Sequence, residues 1–227
     1  MSPLAMLGIA SAAFVGTHFA MSHPLRAGMV RFLGARGQLG VYSLVSLATL
    51  WWMSHTYRPA LAAAPQALWD AGEAGWIAAT LLMWVGAILF VGSLRRNPAF
   101  PTGGVKVTHI GQPRGVFAIT RHPMMWGFAT WALVHAIVNP SAASLIVSAA
   151  IAILALGGAA GQDVKKQKLI GSVWREYQRR TSFVPFGRGF ALPGMFALVG
   201  GTLVWLAATW AHGALGYRPA GIWAFFA

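Results

Sequence analysis

The sequence lacks cysteine and has only four acidic residues, and charged residues of both signs make up 9% of the chain. Without cysteine, the protein has no disulfide framework, no thiolate metal site and no cysteine nucleophile. The shortage of acids leaves little for carboxylate acid–base chemistry or for proton-coupled transport. Because a soluble domain carries roughly a quarter charged residues, this composition argues against a water-soluble globule.

Hydrophobic residues make up 57% of the chain and are gathered into long runs. A bilayer-spanning helix needs about 20 such residues, and strands are disfavoured because no barrel-type alternation occurs. The first run, MSPLAMLGIASAAF, contains no basic residue, whereas a secretory signal peptide begins with a basic segment. We therefore expect this run to be retained as a helix and not cleaved as a signal peptide. We therefore predict an all-α, polytopic membrane helix bundle, one domain over 1–227, with about six transmembrane helices near 4–23, 38–56, 76–94, 116–138, 141–161 and 190–213.

Basic residues are distributed very unequally between the predicted loops. If the N-terminus lies outside the membrane, the inner segments carry all of the 17 lysines and arginines except Arg58 and Arg218. The positive-inside rule then predicts a multi-pass protein of the bacterial inner (cytoplasmic) membrane. The net charge of +13 describes a basic inner face, including a cytoplasmic surface segment over 161–189, that rests on membrane lipid and does not bind nucleic acid.

Histidine is the residue type left for chemistry, and its seven copies differ in predicted depth. His55, His135 and His212 lie toward the outer ends of their helices, whereas His23 and His109 belong to inner loops. His18 and His122 both fall within the inner half of a span, where they either donate a hydrogen bond to a carbonyl or form a site together. Pro123 cannot donate to the carbonyl of Ile119, so we expect a bend there and another partner for that carbonyl.

Two histidines from separate helices are too few for a zinc site, which takes three or four protein ligands. A planar macrocycle needs only two axial ligands and an apolar slot, so haem iron is compatible with the pair, although the spacing is not specific for it. Arg121 and other inner bases such as Arg114 would pair with the carboxylates of the macrocycle. Met124, Met125 and Trp126 would line the slot, with either methionine as a fallback ligand.

Four stretches carry a family resemblance: THFAMSHPLR (17–26), RGQLGVYSLVSLATLWWM (36–53), ITRHPMMWGF (119–128) and WREYQRRTSFVPF (174–186). Together they resemble the NnrU family of bacterial membrane proteins over nearly the whole chain. That family is associated with nitrogen-oxide metabolism in denitrifying bacteria. It is similar to cis-zeta-carotene isomerase, which uses haem b and histidine ligation to isomerise a polyene. The resemblance implies haem b here, with His18 and His122 as iron ligands and catalytic residues.

Two further interpretations remain open. The RHP triplet with the later EYQ and VPF also resembles isoprenylcysteine carboxyl methyltransferase and the phospholipid methyltransferases, which bind S-adenosylmethionine. Met125 stands where those enzymes have tyrosine, and QDVKKQKL (162–169) stands where they have paired glutamates, so methyl transfer ranks second. The other alternative is a non-enzymatic accessory factor for denitrification reductases. In the first interpretation, an apolar ligand such as a cis-polyene or a small oxide of nitrogen binds beside the haem.

Overall fold

The structure is a computed structural model that describes residues 1–100 and 107–225. Within these ranges the protein is built from helices, with no strand, so the all-α prediction is confirmed. A short 3₁₀ helix, Ile222–Phe225, follows the last α-helix. The α-helices are α1 Pro3–Ser22, α2 Arg26–Ala63, α3 Gly72–Gly92, α4 Val116–Ile119, α5 Pro123–Val138, α6 Ala142–Ile170, α7 Ser172–Arg180 and α8 Met195–Ala214.

The surface and length of the helices fit a membrane protein. In the described part of the chain, α1, α3, α6 and α8 are long and apolar enough to cross a membrane, and α5 is apolar but has only 16 residues. The second predicted span lies inside α2, which begins at Arg26 and has 38 residues. Large apolar side chains are exposed on the bundle, among them Leu44 at 70% and Trp51 at 67%. A membrane helix bundle is thus confirmed, while the outside N-terminus stays a prediction.

The helices pack in a continuous series. α1 contacts α2 and α6, α6 contacts α5, and α3 lies against both α5 and α8. At the contact between α3 and α8, Gly201 has no side chain, and a Cβ there would lie 2.5 Å from the Cα of Ile88. This close approach of backbones is the packing that small residues allow in membrane bundles.

A kink in α2 shapes the end of the bundle at which α2 begins. Gly34 has φ 70° and ψ 171°, a backbone conformation that residues with a Cβ avoid. Val30, before the kink, and Gln38 and Tyr42, after it, all line the same cavity. The glycine therefore allows one long helix to follow a curved cavity wall.

The predicted single helix over 116–138 is wrong, because the chain breaks it into α4 and α5. His122 is the N-cap of α5 and does not lie within a helix. Pro123 occupies the first helical position, where its missing N–H costs nothing, so it starts a helix and does not bend one. The expectation about Ile119 is confirmed, since its carbonyl accepts a hydrogen bond from the Phe186 amide at 2.9 Å.

The segment over 161–189, predicted to lie on the cytoplasmic surface, contains the end of α6 and all of α7. α6 continues through it to Ile170, and its 29 residues span about 44 Å, more than the ~30 Å hydrocarbon core. Gly171, with φ 52°, then separates α6 from α7. Trp174 and Tyr177 on α7 are fully buried, so they face the protein interior and not an outer surface.

Candidate functional site

Asp163 on α6 is the centre of a hydrogen-bonded group that joins three parts of the chain. Arg121 donates to Oδ2 of Asp163 from Nε at 2.9 Å and from Nη2 at 2.7 Å. Nε2 of His122 lies 2.9 Å from Oδ1, and the indole Nε1 of Trp174 donates to the same oxygen at 3.1 Å. We call Arg121, His122, Asp163 and Trp174 the Asp163 cluster.

The Asp163 cluster is largely shielded from solvent. The side chains of Arg121 and Asp163 are 13% and 10% exposed, and that of His122 is 0% exposed. A carboxylate paired with a guanidinium only accepts hydrogen bonds, so His122 carries its proton on Nε2. The other ring nitrogen, Nδ1, is buried and has no hydrogen-bond partner among the described residues.

Phe183 closes the cluster on another side. The ring of His122 meets the Phe183 ring edge-on at a centroid distance of 5.4 Å, and the Arg121 guanidinium lies 5.3 Å from the same ring centre. A small cavity of about 10 Å³ adjoins His122 and is also lined by Met124 and Met125. It has room for about one water molecule, which is the kind of partner that a buried polar nitrogen takes.

The loop after α7 holds the break between α4 and α5 in place. The Arg121 amide donates to the Ser182 carbonyl at 2.8 Å, and the Phe186 amide donates to the Ile119 carbonyl at 2.9 Å. These two bonds replace helical ones, so residues 120–122 remain non-helical. Arg121 and His122 are therefore presented to α6 from a short extended segment.

A cavity of about 1230 Å³ lies between α1, α2, α5 and α6. Met125 and Gln162 line both this cavity and the small one beside His122, so the large cavity adjoins the Asp163 cluster. Its walls are mainly apolar and aromatic, as in most small-molecule sites. The apolar lining residues include Phe14, Phe19, Leu39, Tyr42, Phe128, Ile151 and Leu154.

His18 stands in the wall of this large cavity. Its Nδ1 lies 2.6 Å from the Phe14 carbonyl oxygen, and its ring packs edge-on against Phe14 and Tyr42. A proton on Nδ1, donated to that carbonyl, leaves Nε2 with a free lone pair, and Nε2 has no hydrogen-bond partner among the residues described. Metal-ligating histidines are oriented by the same kind of bond from the ring nitrogen that does not bind the metal.

One end of the large cavity is basic. His23, Arg26, Lys165 and Lys166 line it, and its described lining contains no Asp or Glu. Lys166 is held by the loop after α3, since its Nζ donates to a carbonyl oxygen of that loop at 3.0 Å and to another at 2.9 Å. Burial, followed by the charges of Lys165 and Lys168, lowers the pKa of His23. The positive charges of Arg26 and Lys165 face the cavity without a carboxylate in its wall, which suits an anionic group on a ligand.

Comparison with protein-family models matches residues 6–219 to the family described as NnrU protein. The chain belongs to the NnrU family. The curated proteins gave no match, and neither did the solved structures. The matched residues include both the Asp163 cluster and the large cavity, so both features lie in the part of the chain that defines an NnrU protein.

The residues predicted for the site in this NnrU protein are divided between the large and the small cavity, and two of them line neither. His18 and Met125 line the large cavity, whereas His122, Arg121, Met124 and Met125 surround the small one. The structure does not bring His18 and His122 to the wall of one cavity. The other two predicted residues line neither cavity: the Trp126 indole donates to the Phe183 carbonyl at 2.8 Å, and Arg114 is exposed.

Sequence reasoning missed the role of Asp163. Arg121 was expected to pair with a carboxylate of the cofactor, but it pairs with Asp163 of the chain itself. The signal was present, because Asp163 and Glu176 are the only acids among the fifteen bases predicted for the inner face. No group of three or more potential metal-ligating His, Cys, Asp or Glu side chains occurs in the described ranges.

Proposed function

We propose that this NnrU protein binds haem b in the large cavity with His18 as an axial ligand, and that it acts there on an apolar ligand. The observation that carries the proposal is the combination of one oriented histidine, apolar walls and a basic end within a single cavity. Haem b has matching parts: an iron that takes imidazole, an apolar macrocycle and two carboxylates.

His18 has the chemistry that an axial ligand requires. Its Nδ1 bond to the Phe14 carbonyl directs the lone pair of Nε2 away from its own helix backbone. The ring is fixed between Phe14 and Tyr42, so little side-chain freedom is lost on binding. Arg26 and Lys165, at the basic end of the same cavity, supply the positive charge for the two carboxylates.

His122 fits an axial role less well than His18 does. Its Nε2 is occupied by Asp163, and the remaining nitrogen, Nδ1, is enclosed next to a cavity of about 10 Å³. Met125 lines both cavities, and its thioether is a soft ligand that haem iron accepts. In this proposal, Met125 is the second axial candidate, and His122 holds the start of α5 against α6 through the Asp163 cluster.

The size of the large cavity supports a second, apolar molecule beside the haem. Small-molecule sites measure roughly 300–1,000 Å³, and this cavity has about 1230 Å³. Haem b, when bound, supplies an iron whose axial position exchanges between a protein ligand and another molecule. The aromatic walls suit a polyene better than a small oxide of nitrogen, which needs no such volume. The proposed reaction class is therefore cis–trans isomerisation of an extended apolar substrate.

Methyl transfer receives less support from the geometry. A sulfonium ligand needs a nearby carboxylate, and Asp163, the one acid within QDVKKQKL (162–169), already accepts hydrogen bonds from Arg121, His122 and Trp174. The large cavity also has a basic end, which repels a cation.

The proposal is tested by the optical spectrum of the protein purified in detergent, followed by titration of the haem-free form with haemin. We expect a Soret band in the wild type and at least about ten-fold weaker haemin binding in His18→Ala. His18→Met is expected to retain haem and to raise its reduction potential, because a thioether favours ferrous iron. A merely structural histidine would not produce that change of potential.

His55→Ala is the matched control, because His55 is an exposed histidine on α2 that lines neither cavity. It should leave both the Soret band and haemin binding unchanged. A wild-type protein that is colourless and does not bind haemin saturably would refute the proposal. A Soret band that survives unchanged in His18→Ala but disappears in His122→Ala would assign the ligand to His122 instead.

A further inference from the structure

Two histidines meet at the other end of the bundle, away from the large cavity. His135 lies in the last turn of α5 and His212 in the last turn of α8, and their ring centroids are 6.4 Å apart. The large cavity is lined by Met125 near the start of α5. Ten residues of helix separate Met125 from His135, which corresponds to about 15 Å. The histidine pair is therefore independent of the proposed haem site.

Both rings are oriented by the same backbone bond. Nδ1 of His135 lies 2.8 Å from the carbonyl oxygen of Trp131, and Nδ1 of His212 lies 2.7 Å from that of Ala208. Each carbonyl only accepts, so each Nδ1 carries the proton and each Nε2 is left with its lone pair. Neither Nε2 has a hydrogen-bond partner within the described residues.

This arrangement is the one that metal-ligating histidines use. A bond from the second ring nitrogen to a backbone carbonyl fixes the tautomer and the orientation of the ligand. With metal–nitrogen distances of about 2.0–2.1 Å, the ring centres of two histidines on one metal lie roughly 5–6.4 Å apart, depending on the angle at the metal. The observed 6.4 Å is at the upper end of that range, so the two rings must approach each other for any angle below 180° at the metal.

We infer that His135 and His212 bind one divalent transition-metal ion through their two Nε2 atoms, between the ends of α5 and α8. His212 is exposed, so water completes the coordination of the ion. His135 is half-buried, and its ring is stacked on Trp131 at 3.9 Å, which keeps the ring in place. Imidazole ligands without thiolates or carboxylates suit Cu²⁺ and Ni²⁺, and Cu²⁺ is bound more tightly than Ni²⁺.

The experiment uses the full-length protein purified through a tag without histidine, and Cu²⁺ alone as the probe. Electron paramagnetic resonance of the first bound equivalent reports the nitrogen ligands directly. We expect two imidazole nitrogens in the wild type and one in His135→Gln and in His212→Gln. In a competition titration against a chelator, each single variant should bind Cu²⁺ at least about ten-fold more weakly.

Two controls separate this site from other histidines and from loss of fold. His55→Gln removes another exposed histidine, which is stacked on Trp51 but has no histidine beside it among the described residues, and it should leave Cu²⁺ binding unchanged. His212→Gln removes an exposed side chain, so the protein should unfold at the wild-type temperature without metal. Cu²⁺ should raise that temperature in the wild type and in His55→Gln but not in His212→Gln. An unchanged spectrum and affinity in both single variants would overturn the inference. So would loss of Cu²⁺ binding in His18→Ala with retention in His212→Gln.

Discussion

Removal of the Asp163 carboxylate should be among the most destabilising single changes in this protein. Asp163→Ala leaves the largely buried guanidinium of Arg121 without its counter-ion and leaves the N–H groups of His122 and Trp174 without their acceptor. Loss of one partner from a buried ion pair costs about 3–5 kcal/mol, because the other charge stays buried and uncompensated. Each additional buried donor without an acceptor costs about 1–3 kcal/mol when no water reaches it.

Partial hydration of Arg121 offsets some of this cost, so we take about 3–5 kcal/mol as the net loss of unfolding free energy. For a chain of about this length, each kcal/mol shifts the unfolding temperature by about 2–4 °C. The expected decrease is therefore about 6–20 °C. It is measured by tryptophan fluorescence during thermal unfolding of the protein in detergent.

Glu176→Ala provides the matched control for Asp163→Ala. Glu176 is an acid on α7 that pairs with Arg179 and Arg180, but its carboxylate is exposed, so its removal should cause no measurable shift. The double variant Arg121→Met with Asp163→Leu removes both charges and should recover part of the loss, since apolar pairs often replace buried ion pairs well. If Asp163→Ala unfolds within about 2 °C of the wild type, the reasoning about a buried ion pair is refuted.

Three other variants test separate parts of the structure by the same unfolding assay. Gly34→Ala should cost about 1–3 kcal/mol, because φ 70° and ψ 171° are strained for any residue with a Cβ; an unchanged stability would contradict the kink in α2. Gly201→Ala should cost about 1–3 kcal/mol by pushing α8 away from Ile88 on α3, and wild-type stability would argue against that close contact. Burial raises the pKa of Tyr177, so the folded state favours the neutral phenol. The contribution of Tyr177 is therefore complete below the ordinary pKa of about 10 and is lost as the pH rises above it. Tyr177→Phe should stabilise the protein or leave its stability unchanged at pH 7, because the Tyr177 hydroxyl has no hydrogen-bond partner in the described ranges. The same variant should lose less stability than the wild type above pH ~10. A large loss of stability at pH 7 would show that the hydroxyl is hydrogen-bonded.

The helices themselves were largely predictable from apolar runs. The first predicted helix, 4–23, corresponds to α1 at Pro3–Ser22, and the predicted boundary between 116–138 and 141–161 coincides with the end of α5 and the start of α6. These elements follow from a local cause, since a long apolar segment in a membrane must satisfy its backbone within one helix. The bounds differ most where helices leave the apolar region, as at the start of α2 and the end of α6.

The break before His122 could not be read from the run of apolar residues. A proline at the first position of a helix and a proline inside a helix give the same local pattern. The loop after α7 decides between these two arrangements. Its Ser182 carbonyl accepts a hydrogen bond from the Arg121 amide, and its Phe186 amide donates one to the Ile119 carbonyl. Those partners lie more than 60 residues away in sequence, and no local pattern predicts them.

The candidate site could be predicted only in part, because some of its residues are positioned by partners that are distant in sequence. His18 was recognisable because its helix is intact, and an intramembrane histidine in a regular helix has a predictable face and depth. The position of His122 depended on the break and was therefore misjudged as lying within a helix. Asp163 was assigned to a surface segment because three lysines follow it closely, and charge density alone does not reveal which side chain turns inward.

The Asp163 cluster and the large cavity are connected through α6. Gln162 and four later residues of α6 at helical spacing line the large cavity, whereas Asp163 is turned toward Arg121, His122 and Trp174. Trp174 also lies 5.9 Å from the Lys166 ammonium, about one helical turn along α6 from Asp163. An ion pair with a hydrogen-bonded histidine and indole fixes rotation as well as position, because each of its donors has a preferred direction. The Asp163 cluster therefore determines which side of α6 faces the cavity, and with it where the positive charges of the basic end are placed. The cavity-lining residues of α6 in this stretch are Gln162, Lys165, Lys166, Leu169 and Ile170.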